Sequence, residues 1–388
     1  MDFVCPVYET EGIVYLSTVQ ILKWPFGYRA GFSISNDAEY LTLNGWRSLE
    51  SMFHTIFGNK GLFSTSIFLI NPNDEDPAMS LFDVDGLKSQ DYEKISELIK
   101  VTGSVDGVHA IGNFDKNDFT CFPIQDIIEK TAENFEFSWW SNHGSDTNRQ
   151  NIGSLELQSY QEGDIASSSY YSVNLAKKLG IKYFWLDNNL VSEKGIKIDA
   201  RILQDKEIRD STIITTFNRF RGLTGKYAPT LESISEQVSI SMLKNLIRKK
   251  SGVIVYQHLG ISSRNGRSIH SIVESQADIP SPAIEFFNSL QRLSHKGLWI
   301  AKTSVFLKYL DARRNITVTN NGDCLILSSN STKYISLDYI SILTKFEVHQ
   351  VKFQDYHQPA VDYPDFRCIR IGHREFATVL GKIDEKYF

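Results

Sequence analysis

Short runs of β-branched, aromatic and other apolar residues recur through most of the chain, each parted from the next by an amphipathic stretch, and this alternation constrains the fold more than any other feature. Strands joined by crossover helices lie parallel in one sheet. Seven runs read as strands: 29–35, 63–70, 107–112, 135–141, 183–186, 212–217 and 253–258. The stretches between and after them read as helices over 46–56, 91–100, 124–134, 169–179, 231–249 and 282–293. Ser89 supplies an N-cap, and Ser281 one followed by Pro282 in the first turn. An α/β fold is expected, a distorted (β/α)7-type barrel over residues 1–310.

After a last helical stretch, 302–313, the pattern changes. Short β-rich runs at 315–319, 324–328, 334–336 and 368–371, with Asn-Gly punctuation, predict a small β-rich C-terminal domain over 311–388. The segment 355–365, with Pro359 and Pro364, reads as a loop.

With 388 residues, 41% of them hydrophobic and 12% aromatic, the chain can bury a large core. A net charge of -5 gives no general attraction for phosphate backbones or anionic lipid, so nucleic acid is not an expected partner. No stretch approaches the length that spans a bilayer and residues 1–15 lack a basic segment followed by an apolar run, so a cytoplasmic location is expected. Cys5, Cys121, Cys324 and Cys368 lack metal-site spacing and read as reduced thiols in packing roles.

In a parallel barrel the chemistry sits at the carboxyl ends of the strands. The first run delivers Asn36, Asp37 and Glu39 there, with Asp37 the leading carboxylate. The third carries His109, and the fourth ends in a polar loop with Asn142, His143 and Asn148 after Trp139 and Trp140. Later ends add Trp185, Arg219, Arg221 and His258. Histidines with an aspartate suit zinc or another divalent ion, because imidazole and carboxylate with an open position leave room for an activated water. Trp140 and Trp185, with Asn148, Arg219 and Arg221, would suit a sugar ring. One arginine of the pair is expected to face inward and the other to be a surface ion-pair partner.

Asn36-Asp37 after an apolar strand, His109-Ala110-Ile111-Gly112-Asn113 after the third, and Tyr256-Gln257-His258 on the last resemble, across about residues 25–310, the ordered motifs of NodB-type polysaccharide deacetylases. The resemblance implies a metal-dependent hydrolase acting on an amide or ester of a glycan or glycan precursor. It puts Asp37 at the metal-binding aspartate, Asn36 at the base position and His258 at the acid position. Asn36 departs from the family's aspartate, since an amide cannot accept the proton of water as a carboxylate does, and Glu39 or Asp37 would have to replace it. The family's histidine pair falls at Phe114 and Asp118, so His143 with His109 is expected to complete the metal site beside Asp37. Two other readings stand: a catalytically altered barrel that binds a glycan or a protein, and a metal-independent glycoside hydrolase pairing Asp37 with Asp146 or Asp187.

Overall fold

The computed structural model describes residues 19–58, 63–144, 146–153, 160–186, 190–191, 202–222, 229–265, 268–329, 336–354, 361–372 and 375–381. The chain forms two compact units, Ala30–Leu307, and Met1–Arg29 with Lys308–Phe388.

The larger unit is built on a twelve-stranded sheet. Its strands are β1 (Ala30–Asn36), β2 (Ser64–Ile70), β3 (Ser80–Phe82), β4 (Val105–His109), β5 (Trp139–Ser141), β6 (Tyr183–Trp185), β7 (Leu190–Val191), β8 (Leu203–Glu207), β9 (Ile213–Phe217), β10 (Arg219–Phe220), β11 (Gly252–Gln257) and β12 (Leu298–Ile300). The pairing order is β7-β10-β11-β1-β2-β4-β5-β6-β9-β8, with β12 on β1 and β3 on β2. All these pairings are parallel except that of β8 with β9. Each of the seven expected runs overlaps one of these strands. The path has two ends, β7 and β8, so closure of the expected barrel is not shown among the described residues.

The sheet is nevertheless strongly curved. Trp185 on β6 and Tyr256 on β11 are separated by β1, β2, β4 and β5, yet their rings stack with centroids 5.5 Å apart. Side chains alternate between the two faces. Ala30, Phe32, Ile34, Ile67, Leu69, Val108, Trp140, Phe184, Ile214, Phe220, Val253 and Val255 point outward into an apolar core shared with the helices. The concave face carries the polar groups: Ser33, Ser35, Ser64, Ser66, His109, Ser141 and Arg219 are all buried on it, beside the rings of Phe68, Trp185 and Tyr256.

β1 is splayed, because β12 pairs with its first half and β2 with its last two residues. The start of helix Thr303–Asn315 is tied to the edges of that gap. Thr303 N donates to Ser64 Oγ at 2.7 Å and Ser304 N to Asp106 Oδ2 at 3.3 Å, so two N–H groups of the first turn find acceptors. Asp106 also accepts from Trp139 Nε1 at 2.8 Å. The Trp139 ring lies over Gly107, where a Cβ would come within 2.3 Å of it.

Several details differ from expectation. Asp91 and Pro280, and not Ser89 and Ser281, stand at the N-cap positions of helices Tyr92–Glu97 and Ser281–Ser294. The 231–249 stretch breaks into helices Ile234–Gln237 and Ile240–Lys249, the second capped by Ser239, whose Oγ accepts from Met242 N. A hairpin, Ile261–Asn265 with Ser268–Ile272, follows β11.

The second unit holds two four-stranded sheets. Strand Val19–Ile21 pairs antiparallel with Ser341–Thr344. Ile316–Asn321 and Cys324–Ser329 form a hairpin that turns at Gly322, where φ is 70°. Of the expected run 334–336 only Ser336 is described, and of the expected loop 355–365 the described part includes the short strand Val361–Asp362. Cys324 is buried, Cys121 exposed and Cys368 between, all as free thiols, so the expected packing role does not extend to Cys121. Cys5 lies outside the described residues.

Candidate functional site

Because the central strands run parallel, their carboxyl ends share one rim of the concave face. β1 delivers Asp37 and, two residues on, Glu39. β4 ends at His109, β5 runs into His143, β10 starts with Arg219, and β11 supplies Tyr256 and leads to His258. Tyr40 and Ala110, which directly follow Glu39 and His109, adopt left-handed conformations at φ 56° and 46°. Backbone strain of this kind costs about 1–3 kcal/mol at each residue and is held by its surroundings.

Asp37 was expected as a metal ligand, and it is instead paired with Arg219. Nη1 donates to Oδ1 at 2.6 Å and Nη2 to Oδ2 at 2.8 Å, with neither side chain exposed. The same Nη1 reaches Ser35 Oγ at 3.2 Å. Burial alone would raise the Asp37 pKa, but the guanidinium, with help from His109, lowers it to about 2.

Glu39 takes the central place. Its Oε1 lies 3.5 Å from His109 Nε2 and 3.4 Å from His143 Nδ1, and those two nitrogens are 2.9 Å apart. Its Oε2 lies 3.1 Å from His258 Nε2. Burial acts to raise the Glu39 pKa, and the surrounding histidines, His258 foremost, more than reverse it and hold the carboxyl well below its ordinary range. Burial acts to lower that of His143, but Asp115 and Glu39 on either side raise it to about 10.

The outer nitrogen of each histidine faces a carboxylate. His109 Nδ1 lies 3.5 Å from Asp37 Oδ1 and 3.3 Å from Ser66 Oγ. His143 Nε2 lies 3.3 Å from Asp115 Oδ1. Asn148 Nδ2 donates to that same Asp115 oxygen at 2.6 Å, while its Oδ1 accepts from Phe114 N at 3.0 Å. Asn148, expected to bind substrate, thus braces Asp115. The edges of both imidazoles meet Phe68, at centroid distances of 4.9 and 5.1 Å.

The Nδ1 of His258 is 3.1 Å from the Pro229 carbonyl oxygen, which fixes the proton on Nδ1. Nε2 then faces the Glu39 carboxylate and, at 3.2 Å, the Tyr256 hydroxyl.

The other expected residues divide. Asn36 has both ends engaged: Nδ2 donates to Thr65 Oγ1 at 2.6 Å and Oδ1 accepts from Leu259 N at 2.5 Å. It braces β1 against β2 and the turn after β11, which removes it from the catalytic set. Trp140 points outward, is fully buried in the apolar core and donates its N–H to Asn142 Oδ1 at 2.9 Å, so it offers no face to a sugar. Trp185 is on the concave face, but its ring carries the Arg219 guanidinium at 3.5 Å. Arg219 and Arg221 are two residues apart and share a face, which corrects the expectation that only one turns inward. Arg221 is half-buried and acts electrostatically on the Tyr256 hydroxyl. Of the carboxylates offered as partners of Asp37, Asp146 is exposed and Asp187 lies outside the described residues. Asp115 was not singled out from the sequence and Tyr256 only as part of the last-strand motif, although each stands in a polar strand-end segment.

Among the described residues, donor groups that could hold a metal ion fall into two sets, Glu39 with His109 and His143, and Asp37 with Glu39 and His258. In the second, Asp37 already has Arg219 on both oxygens. The first fits a small divalent ion better. Ligands about 2.0–2.1 Å from a tetrahedral zinc stand roughly 3.3–3.4 Å apart. The two Glu39 distances lie close to this, and the two imidazole nitrogens, hydrogen-bonded at 2.9 Å, would part slightly to admit an ion. Carboxylates on the outer nitrogens are also the usual support of metal-bound histidines.

No family model matches the chain, and no curated protein matches it. Among solved structures it is similar to the crystal structure of 4-alpha-glucanotransferase from Thermococcus litoralis, at 12% sequence identity and a TM-score of 0.36, over 72% of this chain. The match spans 38% of that protein's length, and a likeness this slight says nothing about activity. Among the described residues no helix is long and apolar enough to cross a membrane.

Proposed function

We propose that this rim is the centre of a divalent-metal-dependent hydrolase, with Glu39, His109 and His143 as ligands, that cleaves an amide or ester of a glycan or glycan precursor. The observation that carries this reading is the triangle of three donor atoms in which each imidazole is backed by its own carboxylate, Asp37 for His109 and Asp115 for His143. Zinc is the ion the imidazole and carboxylate donors suit best, and when bound it would polarise the scissile carbonyl and acidify water.

The chain's own residues supply the rest. Asp37 holds His109 by its outer nitrogen and is itself anchored by Arg219, so it positions a ligand instead of being one. His258 keeps one proton on Nδ1 toward Pro229, which leaves Nε2 as the nitrogen that takes a proton from an attacking water and returns it to the leaving group. Phe68 excludes water from one side of the imidazole pair. The choice of an acylated sugar as substrate rests on the resemblance of the ordered motifs to polysaccharide deacetylases.

A binding module is the second reading, favoured by Asn36 and Asp37, since the base position holds an amide engaged within the protein and the neighbouring carboxylate is taken up by Arg219. Acetate release separates the two. The purified full chain is incubated with N- and O-acetylated sugars, with zinc and then with a chelator. Release that needs the ion and falls at least about a hundredfold in His258→Gln supports the hydrolase. Sugar binding without release on any acetylated substrate selects the binding module, and release unaffected by the chelator removes the metal.

A further inference from the structure

The concave face has two walls of opposite character. Glu39, Asp37, Asp115 and the histidine pair line the side of β1, β4 and β5. Next to them, β6, β10 and the residue after β10 present N–H donors that find no acceptor among the described residues: Trp185 Nε1, Arg219 Nε and Arg221 Nε. Trp185 and Arg219 are almost wholly buried, at 4% and 0% exposure. A buried N–H without an acceptor is costly, about 1–3 kcal/mol each, and three on or next to two strands that the curvature of the sheet brings into contact are a feature that asks for a ligand.

The Arg219 guanidinium carbon lies 3.5 Å above the Trp185 ring and 4.1 Å from the Tyr256 ring, and both arginines act electrostatically on the Tyr256 hydroxyl. Arg221 follows two residues on along the same face. Arg219 is neutralised by Asp37, whereas Arg221 has no carboxylate within ion-pair distance among the described residues. With the face of Trp185 covered by Arg219, the indole can recognise a ligand through its N–H edge.

We propose that this wall binds an oxyanion group of the substrate, a carboxylate or phosphate, gripped by Arg221 with the Trp185 and Arg219 N–H groups. The proposal deepens the hydrolase reading by giving the substrate class: an acylated sugar that also carries an acid group, held so that its acyl group faces Glu39 and His258. Ionic acceptors gain most from such donors, because charge-assisted bonds are about twice as strong as neutral ones.

Binding, not turnover, tests it, so the outcome does not depend on the hydrolase reading. Calorimetry on the full chain compares N-acetylglucosamine, its 6-carboxylate and its 6-phosphate. One acid form is expected to bind at least about tenfold tighter than the neutral sugar, an advantage that weakens with salt. Which of the two is preferred identifies the oxyanion. The preference is expected to disappear in Arg221→Gln and to shrink in Trp185→Phe, which keeps a ring for Arg219 and removes the N–H. Equal binding of neutral and acid forms, or an acid preference that survives Arg221→Gln, overturns the proposal. An acid preference in a protein that never releases acetate would leave it standing while removing the hydrolase.

Discussion

Asp37 and Arg219, 182 residues apart in the chain, meet through two hydrogen bonds of 2.6 and 2.8 Å where neither is exposed to solvent. This pair joins β1 to β10 and sets the role of Asp37, because a carboxylate with both oxygens on a guanidinium orients His109 and does not take the ion. Removing one member leaves the other charge buried. Asp37→Asn is therefore expected to cost about 3–5 kcal/mol, whereas Asp37→Leu combined with Arg219→Met costs less than either single change. Urea unfolding of the parent, Asp37→Asn, Asp37→Leu, Arg219→Met and the double variant measures this, and additive losses of the Leu and Met changes would show that the pair is not coupled.

His143 is held protonated at neutral pH by Asp115 and Glu39, with its pKa raised to about 10. That proton lies among the three atoms proposed to bind the ion, and a metal ligand must be deprotonated. Zinc binding at pH 7 is expected to release close to one proton. Calorimetric enthalpies in buffers of different ionisation heat report it directly, and an enthalpy that ignores the buffer contradicts the assignment of His143 as ligand.

Asp115 faces the outer nitrogen of His143 at 3.3 Å and is braced by Asn148. Asp115→Asn is expected to weaken zinc affinity by about 10- to 100-fold while one ion still binds. Competition against a chromogenic chelator reads this, and unchanged affinity would separate Asp115 from the metal site.

Asp76 accepts from Tyr40 N at 2.7 Å, Ala78 N at 3.0 Å and Asn113 Nδ2 at 3.1 Å. Burial first, and the nearby Glu39 charge after it, nevertheless raise its pKa to about 6. The folded state then holds a proton that the unfolded chain has lost, so this group's contribution is full below the unfolded pKa near 4 and is lost as pH rises through 6. The loss is of order 3 kcal/mol. Relative to the parent, Asp76→Asn is expected to gain stability progressively between pH 4 and 6, and a difference that is flat across this range would be the contrary result.

The periodic features were legible in the sequence. Seven apolar runs mark seven strands because parallel strands buried on at least one face must be apolar. Strands β10 and β12, of two and three residues, gave no periodic signal, since neighbours alone make them strands. The rim residues Asp37, Glu39, His109, His143 and His258 were readable because strand ends concentrate polar groups after apolar runs. Their division of labour was not. Whether Asp37 or Glu39 faces the histidine pair depends on Arg219, which no local pattern links to β1. Likewise, adjacent Trp139 and Trp140 must point to opposite faces, but which one faces inward is set by the register of β5 against β4 and β6.

Zinc titration of the purified full chain, beside Glu39→Gln, bears most directly on the metal centre. One tightly bound ion in the parent is expected, with affinity reduced by several orders of magnitude in Glu39→Gln and only modestly in Asp37→Asn, if that variant folds. A parent that binds no zinc, or a Glu39→Gln protein that binds it as tightly as the parent, would contradict the account.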